Sequence, residues 1–201
     1  MKFWKRFLAF GIVFLMLVAM IPAGIFQTSA LNYSKSEFWI SNLRDWNDVA
    51  SSLGNFKGKT VHLANDFDAK GAELTTLFEN FAGTFDGHGF RIKNFKATGA
   101  LLAERTLSGA VIKNLTVDGT VTNNDEGTLS SGLLVARHYD TAAGSLTVTN
   151  VTVAGSVIGA SQHVGGVFGV LTLRDGQTAT LSNIDVRAQV KNQRGRCRWY
   201  F

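Results

Sequence analysis

Four segments of this chain are variants of one another: Arg91-Ile-Lys-Asn-Phe-Lys-Ala97, Val111-Ile-Lys-Asn-Leu-Thr-Val117, Thr147-Val-Thr-Asn-Val-Thr-Val153 and Thr180-Leu-Ser-Asn-Ile-Asp-Val186. A chain that rewrites one strand at intervals stacks rungs and does not wrap a globule around a single cleft. The expected fold class is therefore all-β, a solenoid of parallel strands. A binding or structural role fits it better than catalysis.

The asparagines Asn94, Asn114, Asn150 and Asn183 mark the repeat. An aliphatic residue stands two positions before each, and apolar residues stand one and three positions after. Side chains alternate along a strand, so the apolar set changes face at the asparagine. A bulge or corner there permits the change. Two roles stay open for the asparagines: an internal ladder of side-chain amides, or a turn with positive φ in each rung. A second motif falls between the copies: Gly99-Ala-Leu-Leu-Ala103, Ser131-Gly-Leu-Leu-Val135 and Gly165-Gly-Val-Phe-Gly169. Its small residues Ala100, Gly132 and Gly166 are expected where the backbone turns sharply or meets a neighbour. Helical periodicity is nearly absent and no proline follows Pro22, as parallel stacking requires.

The segment Gly83-Thr-Phe-Asp-Gly-His-Gly-Phe-Arg-Ile-Lys-Asn-Phe95 resembles the opening of GLUG-type repeats in bacterial surface proteins. Val164-Gly-Gly-Val-Phe-Gly169 is similar to the GLUG motif itself, and Gly58-Lys-Thr-Val-His-Leu-Ala-Asn-Asp-Phe-Asp68 resembles the lead-in strand of that family. The resemblance spans residues 43–190 and implies a right-handed parallel β-helix that a bacterium secretes or displays. His88 and Phe90 depart from the family's turn, so no role for that histidine carries over.

Residues 1–30 read as a secretory signal: Lys2, Lys5 and Arg6, an uncharged apolar run, then small residues ending at Ala30. Cleavage after Ala30, or alternatively Ala23, leaves no membrane attachment; the uncharged run 7–26 is also long enough to span a bilayer if it is retained as an anchor. The net charge of +5 is concentrated at the two ends. The signal carries three positive charges and Arg194, Arg196 and Arg198 carry three more; taking these six from +5 leaves −1 for residues 31–193. A basic surface for nucleic acid is thus unsupported.

Residues 194–201 break the repeat and hold the single cysteine, Cys197. Shifted by one base, a coding sequence for this tail reads Gly-Ala-Gly-Val-Gly-Gly, close to the Gly-Gly-aliphatic strand the repeat would supply next. The expectation is a frameshift near Arg194 in a protein that naturally continues with more repeats. Resequencing the locus tests this, and an uninterrupted frame shared by sister strains would sink it. Without Cys197 there is neither disulfide nor thiolate zinc site in the mature domain, so the fold rests on its core.

Between these ends, residues 31–58 form a leader and a capping helix, and 59–193 the repeat domain. Residues 31–40 read as a loose leader. Residues 42–54 read as the one helix, with Leu43, Trp46, Val49, Ala50 and Leu53 as its apolar stripe, Ser41 or Asn42 as its cap and Gly54 as its end. Its place is over the open end of the stack, with Trp46 anchored in the core.

Chemistry is sparse. The zinc-peptidase, serine-hydrolase and phosphate-loop motifs are all missing. Asp66, Asp68 and Asp86 are calcium candidates, though polar turns account for the same residues. Asp86-Gly-His-Gly89 sets a carboxylate beside an imidazole, within residues that favour a turn. His62 points outward from its strand, and His138, Tyr139 and His163 fall in loops. The acids are scattered, without the facing pair that glycosidases use. Neither catalytic residues nor cofactor is expected. The expected function is an extracellular or cell-surface adhesion or scaffold module, with glycan or host-surface protein as partner. The alternatives are a carbohydrate-active β-helix enzyme and the repeat region of a surface metallopeptidase.

Overall fold

A computed structural model describes residues 32–127 and 129–193; the expected signal and the tail 194–201 lie outside the described residues. The described chain is mostly strand, with one short helix. In order, it runs β1 (Glu37–Ile40), α1 (Leu43–Ala50), β2 (Thr60–Leu63), β3 (Phe67–Asp68), β4 (Glu73–Leu74), β5 (Phe78–Phe81), β6 (Thr84–Asp86), β7 (Arg91–Thr98) and β8 (Ala103–Thr106). It continues with β9 (Val111–Asn123), β10 (Ser130–Gly132), β11 (Val135–His138), β12 (Gly144–Gly159), β13 (His163–Gly165), β14 (Phe168–Leu171), β15 (Gln177–Val186) and β16 (Gln189–Asn192). A ten-stranded sheet has β1-β2-β6-β9-β12-β15 as its spine, β5-β8-β11-β14 form a second sheet, and β10-β13 a third. Paired strands are parallel throughout.

The registers line the core up in rows. One inner row runs Phe38, Val61, Phe85, Ile112, Val148 and Leu181, one residue per strand. Its first five members are buried, whereas Leu181 is 44% exposed. A second inner row joins Phe67, Ile92, Val117, Val153 and Val186. Each buried side chain therefore packs on its counterpart one strand away, which is how short strands accumulate a continuous hydrophobic core.

The change of face at the asparagine is present in every copy. Asn94, Asn114, Asn150 and Asn183 have φ of 51–56°, a left-handed conformation that asparagine tolerates better than most residues. One such residue inverts the alternation, so Ile112 and Leu115, or Val148 and Val151, all face inward. Turn and ladder prove to be one device. Asn183 Nδ2 donates to Asn150 Oδ1 at 2.8 Å, Asn150 to Asn114 at 3.0 Å, and Asn114 to Asp86 Oδ1 at 3.0 Å. The ladder is external, contrary to the internal expectation, because the apolar neighbours on both sides have already taken the interior.

Asn94 does not belong to this column. Its neighbours Ile92 and Lys93 pair with Val117 and Asp118, and the register slips at Asn94. Its amide instead donates to Asp68 Oδ1 at 3.0 Å. Asp68-Ala-Lys-Gly71 and Asp86-Gly-His-Gly89 are therefore the same turn on two corners. Each aspartate accepts the backbone N–H two residues on, at 2.9 Å, and each turn places a left-handed Lys70 or His88 before a left-handed glycine.

The second motif stacks in turn. Leu101 N–H donates to Leu133 O at 3.2 Å and Leu133 N–H to Gly166 O at 3.1 Å. The third copy pairs one residue earlier than the sequence alignment implied, so Gly132 opposes Gly165 and not Gly166. A Cβ at Gly132 would lie 2.1 Å from Val135 O, and one at Gly165 1.9 Å from Phe168 O. The tight turn that excludes a side chain thus begins at those two glycines.

At the other end, α1 is shorter than expected. Asn42 caps it, accepting from the Arg44 and Asp45 N–H groups, and Ser51 ends it, three residues before Gly54. Trp46 and Val49 are buried, but Leu53 is fully exposed beyond the helix end. The Trp46 indole N–H donates to Thr75 O at 2.9 Å. The expected loose leader contains β1, held in register with β2 and burying Phe38 and Ile40. Among the described residues no helix is long and apolar enough to cross a membrane.

Candidate functional site

The outer face of the first rungs gathers the chain's densest chemistry. Inward Phe38, Val61, Phe85 and Ile112 force their neighbours outward. The next position in each strand is Trp39, His62, Asp86 and Lys113, paired in that order across β1, β2, β6 and β9. Glu37 reaches the same place from β1, and His88 from the turn after β6.

The two imidazoles meet: His62 Nδ1 and His88 Nε2 are 2.8 Å apart. The other ring nitrogen of His62, Nε2, bonds the Glu37 carboxylate. A carboxylate is an acceptor, so His62 donates to it through Nε2; in the neutral ring Nδ1 is then the lone pair, facing His88. His88 Nδ1 stands 4.0 Å from Asp86 Oδ1, so the carboxylate and imidazole of the Asp86–Gly89 turn face each other without a close hydrogen bond. Trp39 stacks on both rings, with centroids 4.3 Å from His62 and 5.7 Å from His88, and is itself 56% exposed.

Asp86 is the buried member. Burial alone would push its carboxyl up, but the His88 backbone N–H, the Asn114 amide and Lys113 outweigh that and hold it below the usual carboxylate range. Lys113 Nζ lies 3.1 Å from Asp86 Oδ2. Asp86 is thus both the acceptor that starts the asparagine ladder and an anion beside two histidines. A shallow depression lined by His88, Gly89, Asn114, Thr116 and Asn150 opens next to it.

The three calcium candidates do not come together. Asp66 Oδ1 takes the Arg91 N–H at 2.9 Å. Asp68, at a different corner, is held low by the Asn94 amide, the Lys70 N–H and Lys93. One oxygen of each is taken by N–H donors. Only Asp86 enters a group of metal-ligand type: among the described residues His62, Asp86 and His88 each offer an atom within 4.8 Å of the others. Sequence reasoning saw His62 as outward-facing but found no histidine pair of metal spacing, because the partners are 26 residues apart. The signal was present in the register: the residue after each inward apolar position in successive strands is the one that meets.

Elsewhere His138 ends β11, where it is buried and hydrogen-bonded to Thr106 Oγ1 at 3.0 Å, not in a loop. Burial lowers its pKa from the ordinary 6.5. Burial also raises the Glu104 carboxyl, against the pull of Arg137 and with a small push from Glu79. Gly132 and the ladder asparagines hold backbone geometry, and Gly166 accepts a stacking hydrogen bond. Compared with protein-family models, curated proteins and solved structures, the chain matches none.

Proposed function

We propose that this chain is the N-terminal part of a secreted or surface-displayed bacterial repeat protein of the GLUG type. It folds as a right-handed parallel β-helix with α1 as its end cap and acts as a non-catalytic adhesive or scaffold module. The observation that carries this reading is the long parallel register of β9, β12 and β15, whose outward positions are mostly short and polar, with Lys113 and Asp185 among them. Thr147 pairs with Thr180, Thr149 with Ser182, and Thr116 with Thr152. Such a face is flat and repetitive, suited to many weak hydrogen bonds with a glycan or an extended protein surface.

Binding of the full chain to a glycan array and to immobilised host-surface proteins tests the reading. Saturable binding that T147E/T149E weakens at least tenfold supports it. Release of shortened sugars from a polysaccharide would replace it with the enzymatic alternative. That alternative draws its one support from Glu104, a carboxyl that burial raises above its ordinary value. In that case E104Q should abolish turnover and leave adhesion intact.

A further inference from the structure

We infer that Glu37, His62, Asp86 and His88 form a site for one divalent transition-metal ion of the zinc class, with His62 Nδ1, His88 Nε2 and an Asp86 oxygen as ligands. The inference is independent of the adhesive reading.

The donor set selects the ion. Two imidazoles and one carboxylate suit zinc, nickel or copper, whereas calcium and magnesium require a shell of oxygens. Three protein ligands leave a fourth position for water or a ligand atom from outside.

The supporting residues are those such a site needs. Glu37 accepts the Nε2 proton of His62. That leaves Nδ1 as the lone pair and fixes the ring, which is the carboxylate–histidine arrangement that orients a metal ligand. Asp86 is fixed by the His88 N–H and the Asn114 amide. Trp39 covers both rings from one side.

Loading requires the rings to turn and one proton to move. The imidazoles meet end to end, with centroids 5.0 Å apart and planes 21° apart. A tetrahedral ion needs their lone pairs to converge, and His88 must carry its proton on Nδ1 to free Nε2. The two ligand nitrogens stand 2.8 Å apart, and around a tetrahedral ion with bonds of about 2.0–2.1 Å they would stand roughly 3.4 Å apart. His88 can supply the movement, since its side chain is 39% exposed and sits on a turn. Lys113 opposes the ion, because its ammonium already neutralises Asp86 at 3.1 Å. A cation entering the site must displace that charge.

The test is zinc titration of the full chain by calorimetry at neutral pH, with calcium as the control ion. Expected is one zinc per chain and no saturable calcium binding. H88N keeps a residue that tolerates the left-handed turn, and H62T keeps a strand former. Each should weaken binding at least a hundredfold. E37Q should weaken it about tenfold through the orientation of His62. K113M removes the competing cation and should tighten binding severalfold, a gain that a misfolded variant cannot mimic. Copper should quench wild-type tryptophan fluorescence, and W39F should lose most of that quenching.

Zinc binding by wild type no tighter than by the H62T/H88N double variant overturns the site. So does saturation by calcium at similar affinity. Weaker binding in K113M would also overturn the assignment of Asp86 as a ligand.

Discussion

The two ends of the ten-stranded sheet are built from different materials. From β1 to β6 the core is aromatic: Phe38, Phe56, Phe78, Phe81 and Phe85 are buried, and the first four form a chain of edge and stacked contacts that Tyr33 joins. From β9 to β15 the same rows are filled by Ile112, Leu115, Val148, Val151 and Val153. Outside, β1, β2 and β6 carry Glu37, Trp39, His62 and Asp86, and from β9 onward threonine, serine and asparagine predominate, with Lys113, Asp118 and Asp185 among them. The difference follows from neighbours. A rung between two similar rungs packs on copies of itself, so one β-branched residue serves repeatedly. A rung beside a helix meets a new shape at each position, and large rings fill irregular space. Individuality, including the histidine cluster, collects where repetition stops.

The comparison is most sharply tested within one row. Phe85→Ala should cost about 3–5 kcal/mol in urea unfolding, as for other buried aromatics. Leu181→Ala occupies the same row at 44% exposure, and should cost no more than about 1 kcal/mol, near the range of surface changes. Equal costs would mean that Leu181 is buried as fully as Phe85 and that the two ends of the row do not differ.

The asparagine column separates two effects that coincide in each rung. Asn150→Gly relieves the backbone at φ of 55° but breaks the amide chain, and should cost about 0.5–1.5 kcal/mol. Asn150→Ala breaks the chain and strains the backbone as well, adding about 1–2 kcal/mol. Indistinguishable variants would remove the backbone role. At the capped end, Asn42→Ala should cost about 1 kcal/mol through loss of the helix cap.

The smallest effect is one of pH. Burial lowers the His138 pKa from its ordinary 6.5, so below that value the unfolded chain binds a proton the fold refuses. Stability should therefore decline as pH falls through 6.5 toward the lower folded value. H138N should flatten this slope; a slope unchanged in that variant would assign it to another group.

Much of this was legible in the residues. The apolar switch at each asparagine, the outward His62 and the buried Trp46 follow from alternation and periodicity alone. The column Asn114, Asn150 and Asn183 was visible because neighbouring rungs share one pattern. Asn94 misled because its local sequence matches theirs, while its hydrogen-bond partner, Asp68, belongs to a different corner. Strand β1 was missed because four residues make a weak pattern. Its pairing with β2 is a long-range fact. The His62–His88 contact was invisible for the same reason, since neither residue's own neighbours announce the other.

The amide ladder also bears on how such a chain changes over generations. Asn150 and Asn114 each accept from the next strand and donate to the one before, Asn183 donates into the series, and Asp86 closes it with an acceptor alone. Each junction presents the same plug and the same socket. A duplicated or deleted rung within the column would leave its neighbours with the partners they already had. For the amide hydrogen bonds alone, adding or removing one asparagine strand between Asn114 and Asn183 is therefore gentler than replacing one asparagine in place.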